Sequence, residues 1–265
     1  RQGVPAALGA LSPLVMLSRQ DPCVYNPLGQ ATKPGWSAWL NLKIAKLGCR
    51  VIYDPPLNRW RRELGLPRGR DWFLTDLRNA SRVLGLWSPH FRGPMSDDPG
   101  NAVICGFPWY DRHKEQEHAS DEINRFLDAG EPPVIFTLGS TAVHVAGPFY
   151  QAAADACRIL GRRGMLLTGK RPHAPSSLPP GVRAFTYAPY GEVLPRGCAT
   201  VHHGGIGTTA QGLRSGKPSV VVPFAHDQFD NAARVRRLGV SATVSRNRVS
   251  GPALAAALRQ VLDAP

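Results

Sequence analysis

The sequence predicts an α/β fold, and two patterns carry that prediction. After Pro133, short apolar runs of three to six residues alternate with longer stretches in which apolar residues recur every three or four positions. Short apolar runs are typical of buried strands, and the longer period is typical of helices packed on a sheet. Their regular alternation predicts a doubly wound, mostly parallel sheet in the C-terminal half.

The elements of this half follow one another along the chain. The predicted strands are residues 134–138, 165–167, 182–187, 199–202 and 219–223. The predicted helices are residues 148–160, 208–214, 231–238 and 252–262. In such a sheet ligands bind beyond the carboxyl ends of the strands, so the residues that follow each strand are the candidates for function.

The chain divides near residue 110. Before that point Pro and Gly are frequent, and the predicted elements are short strands at 4–11, 82–87 and 101–105 and one amphipathic helix at 36–47. This half is interpreted as an incomplete α/β unit. We therefore assign 1–110 to part of an N-terminal domain, 111–131 to an interdomain connection that contains a helix, and 132–265 to a C-terminal domain.

Composition favours a soluble enzyme. A chain of 265 residues can bury a large core, and no apolar stretch is long enough to span a bilayer. The first residue is Arg1, and the opening segment lacks the basic region and apolar core of a signal peptide, so we expect the chain to begin within a domain. Five widely spaced cysteines without a CxxC pair predict reduced thiols, a cytoplasmic location and no metal site.

The formal net charge of +13 raises the question of an anionic partner. Two clusters contribute to it: Arg59, Arg61, Arg62, Arg68 and Arg70, and then Arg234, Arg236 and Arg237. Neither cluster carries a nucleic-acid-binding motif. A solvated surface that attracts anionic ligands or touches a membrane peripherally is favoured over nucleic-acid binding.

The segment VHHGGIGTTAQGLRSG at residues 201–216 has the order strand, turn, helix. Gly204, Gly205 and Gly207 leave no side chains between the backbone N–H groups and a ligand. The first turn of the following helix would direct its unpaired N–H groups and its positive dipole end at the same space, beside the hydroxyls of Thr208 and Thr209. The segment predicts a phosphate site, and a glycine-rich turn without a ligand is the alternative.

Polar and aromatic residues follow other strands. Ser140 could offer a hydroxyl to a ligand or cap a helix, and Tyr187 could stack on a nucleobase or lie at the edge of the core. Asp227 and Gln228 supply the mixture of acceptors and donors that sugar hydroxyls need. In the alternative reading, Asp227 or Asp230 caps the next helix.

The run VHHGGIGTTAQGLRSGKPSVVVPFAHDQFDNAARVRRLGV resembles the donor-binding signature of the nucleotide-sugar glycosyltransferases of the UDP-glycosyltransferase family, which includes macrolide, glycopeptide, sterol and rhamnolipid-forming enzymes. The segments LSPLVMLSRQDPCVYNP, LGLWSPHF, GFPWYDR and PPVIFTLGS resemble bacterial, rhamnosyltransferase-like members. The resemblance implies a GT-B fold of two facing Rossmann-like domains, with the N-terminal one present in part.

The resemblance also implies roles for single residues. Those implied to contact the donor diphosphate are His203, Gly205, Gly207, Thr208 and Ser140. Tyr187 stands at the place of an aromatic platform for the base, and Gln211 stands where many members hold the ribose with a glutamate. Asp227 and Gln228 match the pair that holds the hydroxyls of the donor sugar.

The implied reaction is the inverting transfer of a hexose from a UDP-sugar or dTDP-sugar to a hydroxyl of an apolar acceptor (a lipid, sterol or polyketide), without cofactor or metal. The family's general base is a histidine in an N-terminal strand-turn that has no counterpart here, so a catalytically inactive nucleotide-binding fragment is the alternative. Asp21, Tyr25 and Trp36 are candidates to line the acceptor pocket. Five other histidines are interpreted as surface residues: His90, His113, His118, His144 and His173.

Overall fold

A computed structural model describes residues 5–24, 35–71, 77, 79–109, 119–169 and 175–263. The described residues form two compact units, one ending at Pro108 and the other beginning at Trp109. Tyr25, His113, His118 and His173 lie outside the described residues. Within the ranges described, no helix is both long enough and apolar enough to cross a membrane.

The first unit contains a small parallel sheet. Its strands, paired in chain order, are β1 (Ala7–Ala10), β2 (Arg82–Gly85) and β3 (Ala102–Ile104). Each lies inside a predicted strand but is shorter. A 3₁₀ turn at Pro13–Met16 and the helix α1 (Trp36–Glu63) complete the described elements of this unit.

Helix α1 corrects a prediction. The sequence pattern predicts a helix that ends at residue 47, whereas α1 continues through Pro55 and Pro56 to Glu63. Contacts with the segment that follows hold its second half: both polar groups of the Asn58 side chain bond the backbone of Gly69, at 2.9 and 3.0 Å. The periodicity of a sequence does not report such contacts, so it placed the end too early.

The second unit contains a six-stranded sheet in which every pairing is parallel. Its strands are β4 (Val134–Thr137), β5 (Gly164–Leu167), β6 (Val182–Phe185), β7 (Ala199–His202), β8 (Ser219–Val221) and β9 (Ser241–Thr243). They lie in the order β6-β5-β4-β7-β8-β9, which is 3-2-1-4-5-6 when the strands of this sheet are counted from its first. The doubly wound sheet is confirmed, and β9 is a strand that the pattern analysis missed.

Five longer helices accompany this sheet: α2 (Asp121–Asp128), α3 (Phe149–Leu160), α4 (Ile206–Arg214), α5 (Gln228–Arg237) and α6 (Gly251–Leu262). Single helical turns lie at Gly139–Ala142, Val143–Val145, Tyr190–Val193, Leu194–Arg196 and Arg246–Arg248. Side-chain caps explain two of the starts, because Ser120 Oγ accepts from the Ile123 N–H and Ser250 Oγ from the Ala253 N–H.

Alternate residues of the strands enter two apolar clusters, as parallel strands covered on both faces require. Val134 and Phe136 pack with α3 and α6 in one cluster, whereas Ile135 packs with α2 in the other. Helix α2, which the sequence analysis assigns to the connection between domains, therefore packs onto the sheet of the second unit. Both faces are covered, so the open positions of this unit lie at the ends of the strands.

Candidate functional site

The sheet of the second unit has a topological switch point between β4 and β7. From β4 the chain builds β5 and β6 on one side, and β7 then starts the other side with β8 and β9. Loops that leave neighbouring strands in opposite directions open a crevice beyond the carboxyl ends of those strands, and ligands of open α/β sheets bind there. The loops after β4 and β7 are therefore where a site is expected.

These two loops touch. A Cβ added to Gly139, which follows β4, would lie 2.6 Å from Cε1 of His203, which follows β7. Gly139 also has a φ of 62°, so it occupies a conformation that favours glycine. Ser140 comes next and is exposed at the start of the Gly139–Ala142 turn. Ser140 and His203 are thus on adjacent loops, as the sequence analysis expects.

Gly204 and Gly205 form the loop after β7, hereafter the glycine loop, and Gly207 lies in the first turn of α4. The three have different reasons to be glycine. Gly204 has a φ of 86°, and a Cβ there would lie 2.7 Å from Val221 Cγ1. A Cβ on Gly205 would lie 2.4 Å from His203 Nε2. A Cβ on Gly207 would meet no described atom within 4 Å. Packing therefore explains Gly204 and Gly205, whereas the space above Gly207 is open to a ligand.

Helix α4 begins directly after this loop, with Gly205 as its N-cap. The N–H groups of a first helical turn have no partner inside the helix. The Ile206 N–H donates to the Asp227 carboxylate. The next N–H groups, those of Gly207 and Thr208, point in the same axial direction, where the positive end of the helix dipole favours an anion.

His202, the last residue of β7, and His203, which follows the strand, are buried and neutral at pH 7. Burial lowers the pKa of His202 to about 3, with the neighbouring His203 as a smaller cause, and burial lowers the pKa of His203 to about 4. His202 Nδ1 accepts a hydrogen bond from the Gly204 N–H at 3.1 Å, so its proton lies on Nε2. His203 Nδ1 is buried and has no partner among the described residues.

Other buried polar atoms in this region also lack a partner within the described part of the chain. They are Thr209 Oγ1 and Gln211 Oε1 on α4 and Asn231 Oδ1 on α5. Buried polar groups in native proteins are nearly always paired with protein, water, an ion or a ligand. A bound polar ligand is one kind of partner for such atoms, and water is another.

Gln228 has a structural task that limits its predicted role. Its side chain is 5% exposed, and Oε1 accepts from the N–H groups of Phe224 (2.8 Å) and Ala225 (3.1 Å). The two lone pairs of this oxygen are therefore used to shape the loop after β8. The NH₂ group is the part of Gln228 that could still donate to a sugar hydroxyl.

Asp227 does not cap its own helix. Asp227 is the N-cap of α5 but makes no side-chain cap bond to that helix, and Asp230 instead pairs with Arg234 at 2.7 Å, both buried. The Asp227 carboxylate accepts from Asn231 Nδ2 at 2.8 Å and from the Ile206 N–H of α4. Burial raises its pKa, and these hydrogen bonds oppose that rise. The capping alternative for α5 is thus not what the structure contains.

Tyr187 is 62% exposed and follows β6, the edge strand of the sheet, so it is not a residue of the core edge. The tyrosine that packs against the apolar cluster is the half-buried Tyr190 at the start of the Tyr190–Val193 turn, whose hydroxyl lies 2.6 Å from Thr137 Oγ1 at the end of β4. Thr137 Oγ1 in turn accepts from the Gly139 N–H at 3.2 Å. Sequence reasoning missed this pair, because neither residue type has a distinctive spacing.

The acceptor candidates belong to the first unit. Asp21 is buried and pairs with Arg92 at 3.4 Å, so its carboxylate is committed to an ion pair rather than exposed to an acceptor. Trp36 is 78% exposed at the start of α1. His90 and His144 are exposed, as expected for surface histidines.

A 3-2-1-4-5-6 parallel sheet with a glycine loop and a helix N-terminus at its switch point defines a Rossmann-like α/β domain. Residues 165–265 match the family model of the erythromycin biosynthesis protein CIII-like C-terminal domain. The chain belongs to the UDP-glycosyltransferase family and has the α/β architecture of GT-B glycosyltransferases.

Curated relatives include the O-mycaminosyltylonolide 6-deoxyallosyltransferase of Streptomyces fradiae, which is 36% identical over 212 residues, or 79% of this chain and 49% of that protein. The sterol 3-beta-glucosyltransferase of Yarrowia lipolytica is 31% identical over 211 residues, 73% of this chain and 14% of that protein. The chain thus spans about half the length of the first of these relatives.

Among solved structures, the glycotransferase of kitacinnamycin superposes with a TM-score of 0.69 over 86% of this chain and 59% of that one. The two sequences are 24% identical, so this likeness concerns the fold.

Proposed function

We propose that the second unit binds the nucleoside diphosphate of a nucleotide sugar, and that the whole protein transfers a hexose from this donor to a hydroxyl group of an apolar acceptor. The observation that carries the proposal is the glycine loop at the switch point, where buried, neutral His203 has an unpartnered Nδ1. It lies beside the N-terminus of α4, which favours an anion.

Each polar group has a place in this proposal. The diphosphate is bound by His203, by the backbone around Gly205 and Gly207, and by Thr208, with Ser140 contributing from the loop after β4. Tyr187 offers an exposed ring to the base, and Gln211 brings its unpartnered oxygen to the ribose.

The sugar hydroxyls of the donor meet Asp227 and the NH₂ group of Gln228. Asp227 brings two acceptor oxygens, while Gln228 brings donors only, because its Oε1 is bonded to the backbone.

The proposed reaction is a displacement at the anomeric carbon. The acceptor oxygen forms a bond to this carbon as its bond to the diphosphate oxygen breaks, which inverts the configuration, and the acceptor proton passes to a base. Negative charge grows on the leaving diphosphate, UDP or dTDP. Backbone N–H groups, the dipole of α4 and His203 stabilise that charge more than they stabilise the bound donor.

The acceptor is proposed to be apolar. One relative is named as a glycosyltransferase of a tylonolide and another of a sterol. We propose no resident cofactor, no metal and no nucleic-acid partner; the substrates are the nucleotide sugar and the acceptor.

A second candidate is a unit that binds nucleotide without catalysis. His202 and His203 have pKa values of about 3 and 4, and a base this weak removes a proton from a hydroxyl poorly. The other described histidines, His90, His144 and His226, are exposed. The described residues thus favour binding of the donor, and the transfer reaction is proposed for the whole protein.

Calorimetric titration of UDP and dTDP into this chain tests the donor site. We expect saturable binding of at least one nucleotide, and at least tenfold weaker binding by His203→Ala, because that variant loses a buried donor or acceptor at the phosphate. His144→Ala, a change at an exposed histidine, is the control and should bind like the wild type. A folded chain that binds neither UDP nor dTDP would contradict the proposal.

The transfer step is tested with the whole protein. UDP- and dTDP-hexoses are incubated with hydroxylated lipids, sterols and polyketide lactones, and the anomeric configuration of any product is read by NMR. An inverted product supports the mechanism, whereas nucleotide binding without any transfer favours the second candidate.

A further inference from the structure

A single buried amide links the glycine loop to the N-terminus of α5. Asn231 has 0% of its surface exposed. Its Nδ2 donates to the Gly204 carbonyl at 2.9 Å and to Asp227 Oδ2 at 2.8 Å. The proposed function assigns these two acceptors to different ends of the donor. The loop of Gly204 binds the diphosphate, and the Asp227 carboxylate binds the sugar.

Neighbouring contacts hold the same junction. Asp227 also accepts from the Ile206 N–H at the start of α4. Gly204 is pressed against α5, since a Cβ there would lie 3.1 Å from the Gln228 carbonyl oxygen. The position of the Asp227 carboxylate is therefore defined by the first N–H group of α4 and by the Asn231 side chain one turn further along α5, and not by a cap bond to the backbone of α5.

We propose that Asn231 is the positioning residue of the donor site, which sets the distance and orientation between the diphosphate loop and the sugar-binding carboxylate. It acts through Gly204 and Asp227 and does not itself bind the donor through its NH₂ group. This inference rests on the proposed function. It explains how the unit keeps the groups that bind the diphosphate and the group that binds the sugar in a fixed relative position. Precise placement by supporting hydrogen bonds is what binding groups on loops require.

The charge balance at Asp227 provides an independent readout. Burial raises the pKa of this carboxyl, and the hydrogen bond from Asn231 lowers it, as does the nearby His226. On the adjoining elements, Asp230 is paired with Arg234, and His203 stays neutral above a pH of about 4. Removing the Asn231 amide therefore moves the pKa of Asp227 further upward, and the ionised form needed to accept from sugar hydroxyls is lost at a higher pH.

The test is a double-mutant cycle on nucleotide-sugar affinity. UDP, dTDP, UDP-glucose and dTDP-glucose are titrated into the wild type, Asn231→Ala, Asp227→Ala and the double variant between pH 5.5 and 8. We expect Asn231→Ala to weaken binding of the nucleotide sugar at least tenfold but of the free nucleotide less than threefold. In the Asp227→Ala background, Asn231→Ala should weaken binding of the nucleotide sugar little further, because the carboxylate that Asn231 positions is absent.

Two controls separate positioning from folding. Asn124 is on α2, and its side-chain amide donates to the Ala119 carbonyl at 3.0 Å. Asn124→Ala should leave the affinities for nucleotides and nucleotide sugars unchanged. Asn231→Leu keeps roughly the shape of the side chain but cannot donate a hydrogen bond and adds no charge beside Asp227, so it should reproduce the loss if the alanine variant does not fold.

Three results would count against the inference. The first is an equal loss of affinity for the nucleotide and the nucleotide sugar in Asn231→Ala. The second is additivity of the two substitutions in the cycle, and the third is an unchanged pH midpoint of the affinity that depends on the sugar. Each would overturn the role of Asn231 but would not contradict the nucleotide site. A wild type that binds no nucleotide would instead refute the proposed function itself.

Discussion

Two neighbouring histidines have different tasks although both are buried. His202 uses Nδ1 to accept from the Gly204 N–H and so helps to shape the loop. His203 leaves Nδ1 unpartnered among the described residues and is packed between Gly139 and Gly205. His203 Nδ1 is therefore the ring nitrogen to which the proposed function assigns the donor diphosphate.

The pKa values of these histidines predict a loss of stability in acid. Their folded-state pKa values, about 3 and 4, lie below the ordinary value of 6.5, so the unfolded chain binds protons first as the pH falls. The stabilising effect is complete above pH 6.5 and is lost towards pH 4, at up to about 1.4 kcal/mol per pH unit for each histidine.

Urea denaturation at pH 7.5 and 5.5 measures this effect. His203→Gln should reduce the difference between the two free energies of unfolding by about 1.4 kcal/mol, because one titrating group is removed. If the variant and the wild type show the same difference, His203 is not buried in its neutral form.

At the scale of elements, the glycine loop and α4 work as one unit. Gly204 and Gly205 are required by contacts inside the chain, and Gly207 is not. A glycine in a helix costs stability relative to alanine, so its presence in the exposed first turn of α4 needs a reason other than packing. Close approach of a phosphate to the backbone is such a reason.

Gly207→Ala separates stability from binding. Alanine is the better helix former and meets no described atom there, so the free energy of unfolding should rise, by up to about 1 kcal/mol. The added methyl would stand where the diphosphate approaches, so nucleotide affinity should fall at least tenfold.

Thermal melting of the Gly207→Ala variant measures its stability, and calorimetry on the same sample measures its nucleotide affinity. Gly191→Ala, another glycine with open space at its Cβ, is the matched control. An alanine variant that binds nucleotide as tightly as the wild type would remove Gly207 from the site.

For the whole molecule, the decisive feature is the order of the strands. The switch point between β4 and β7 brings the Gly139 loop to the glycine loop. The N-terminus of α5 joins them from the other side, through Asn231 and Asp227. The candidate site therefore lies within the second unit.

Nucleotide binding should stabilise the second unit selectively. At a free nucleotide concentration of 100 times Kd, its free energy of unfolding should rise by about 2.7 kcal/mol. Hydrogen exchange with and without nucleotide measures where the stabilisation falls. Protection is expected in the loops after β4 and β7 and at the start of α5, and not in β1 to β3. Protection confined to the first unit would contradict this site.

Much of the second unit could be predicted because periodicity is a local property. The short apolar runs located β4 to β8, and the helical period located α3, α5 and α6 to within a few residues. Strand β9, at only three residues, was too short to be recognised, and the full length of α1 depends on contacts with a later segment. The resemblance to the donor-binding signature supplied the family and the expected roles, which stay predictions for each residue.

The sequence by itself determined that a strand, a glycine-rich turn and a helix follow one another at residues 201–216, since residue types set the backbone conformations available there. Only the tertiary structure decided that Gln228 has its oxygen bonded to the backbone, that Tyr190 rather than Tyr187 packs against the apolar cluster, and that Asn231 joins Gly204 to Asp227. Such contacts depend on which strands pair and how the helices pack on them, and these are long-range choices that no local pattern encodes.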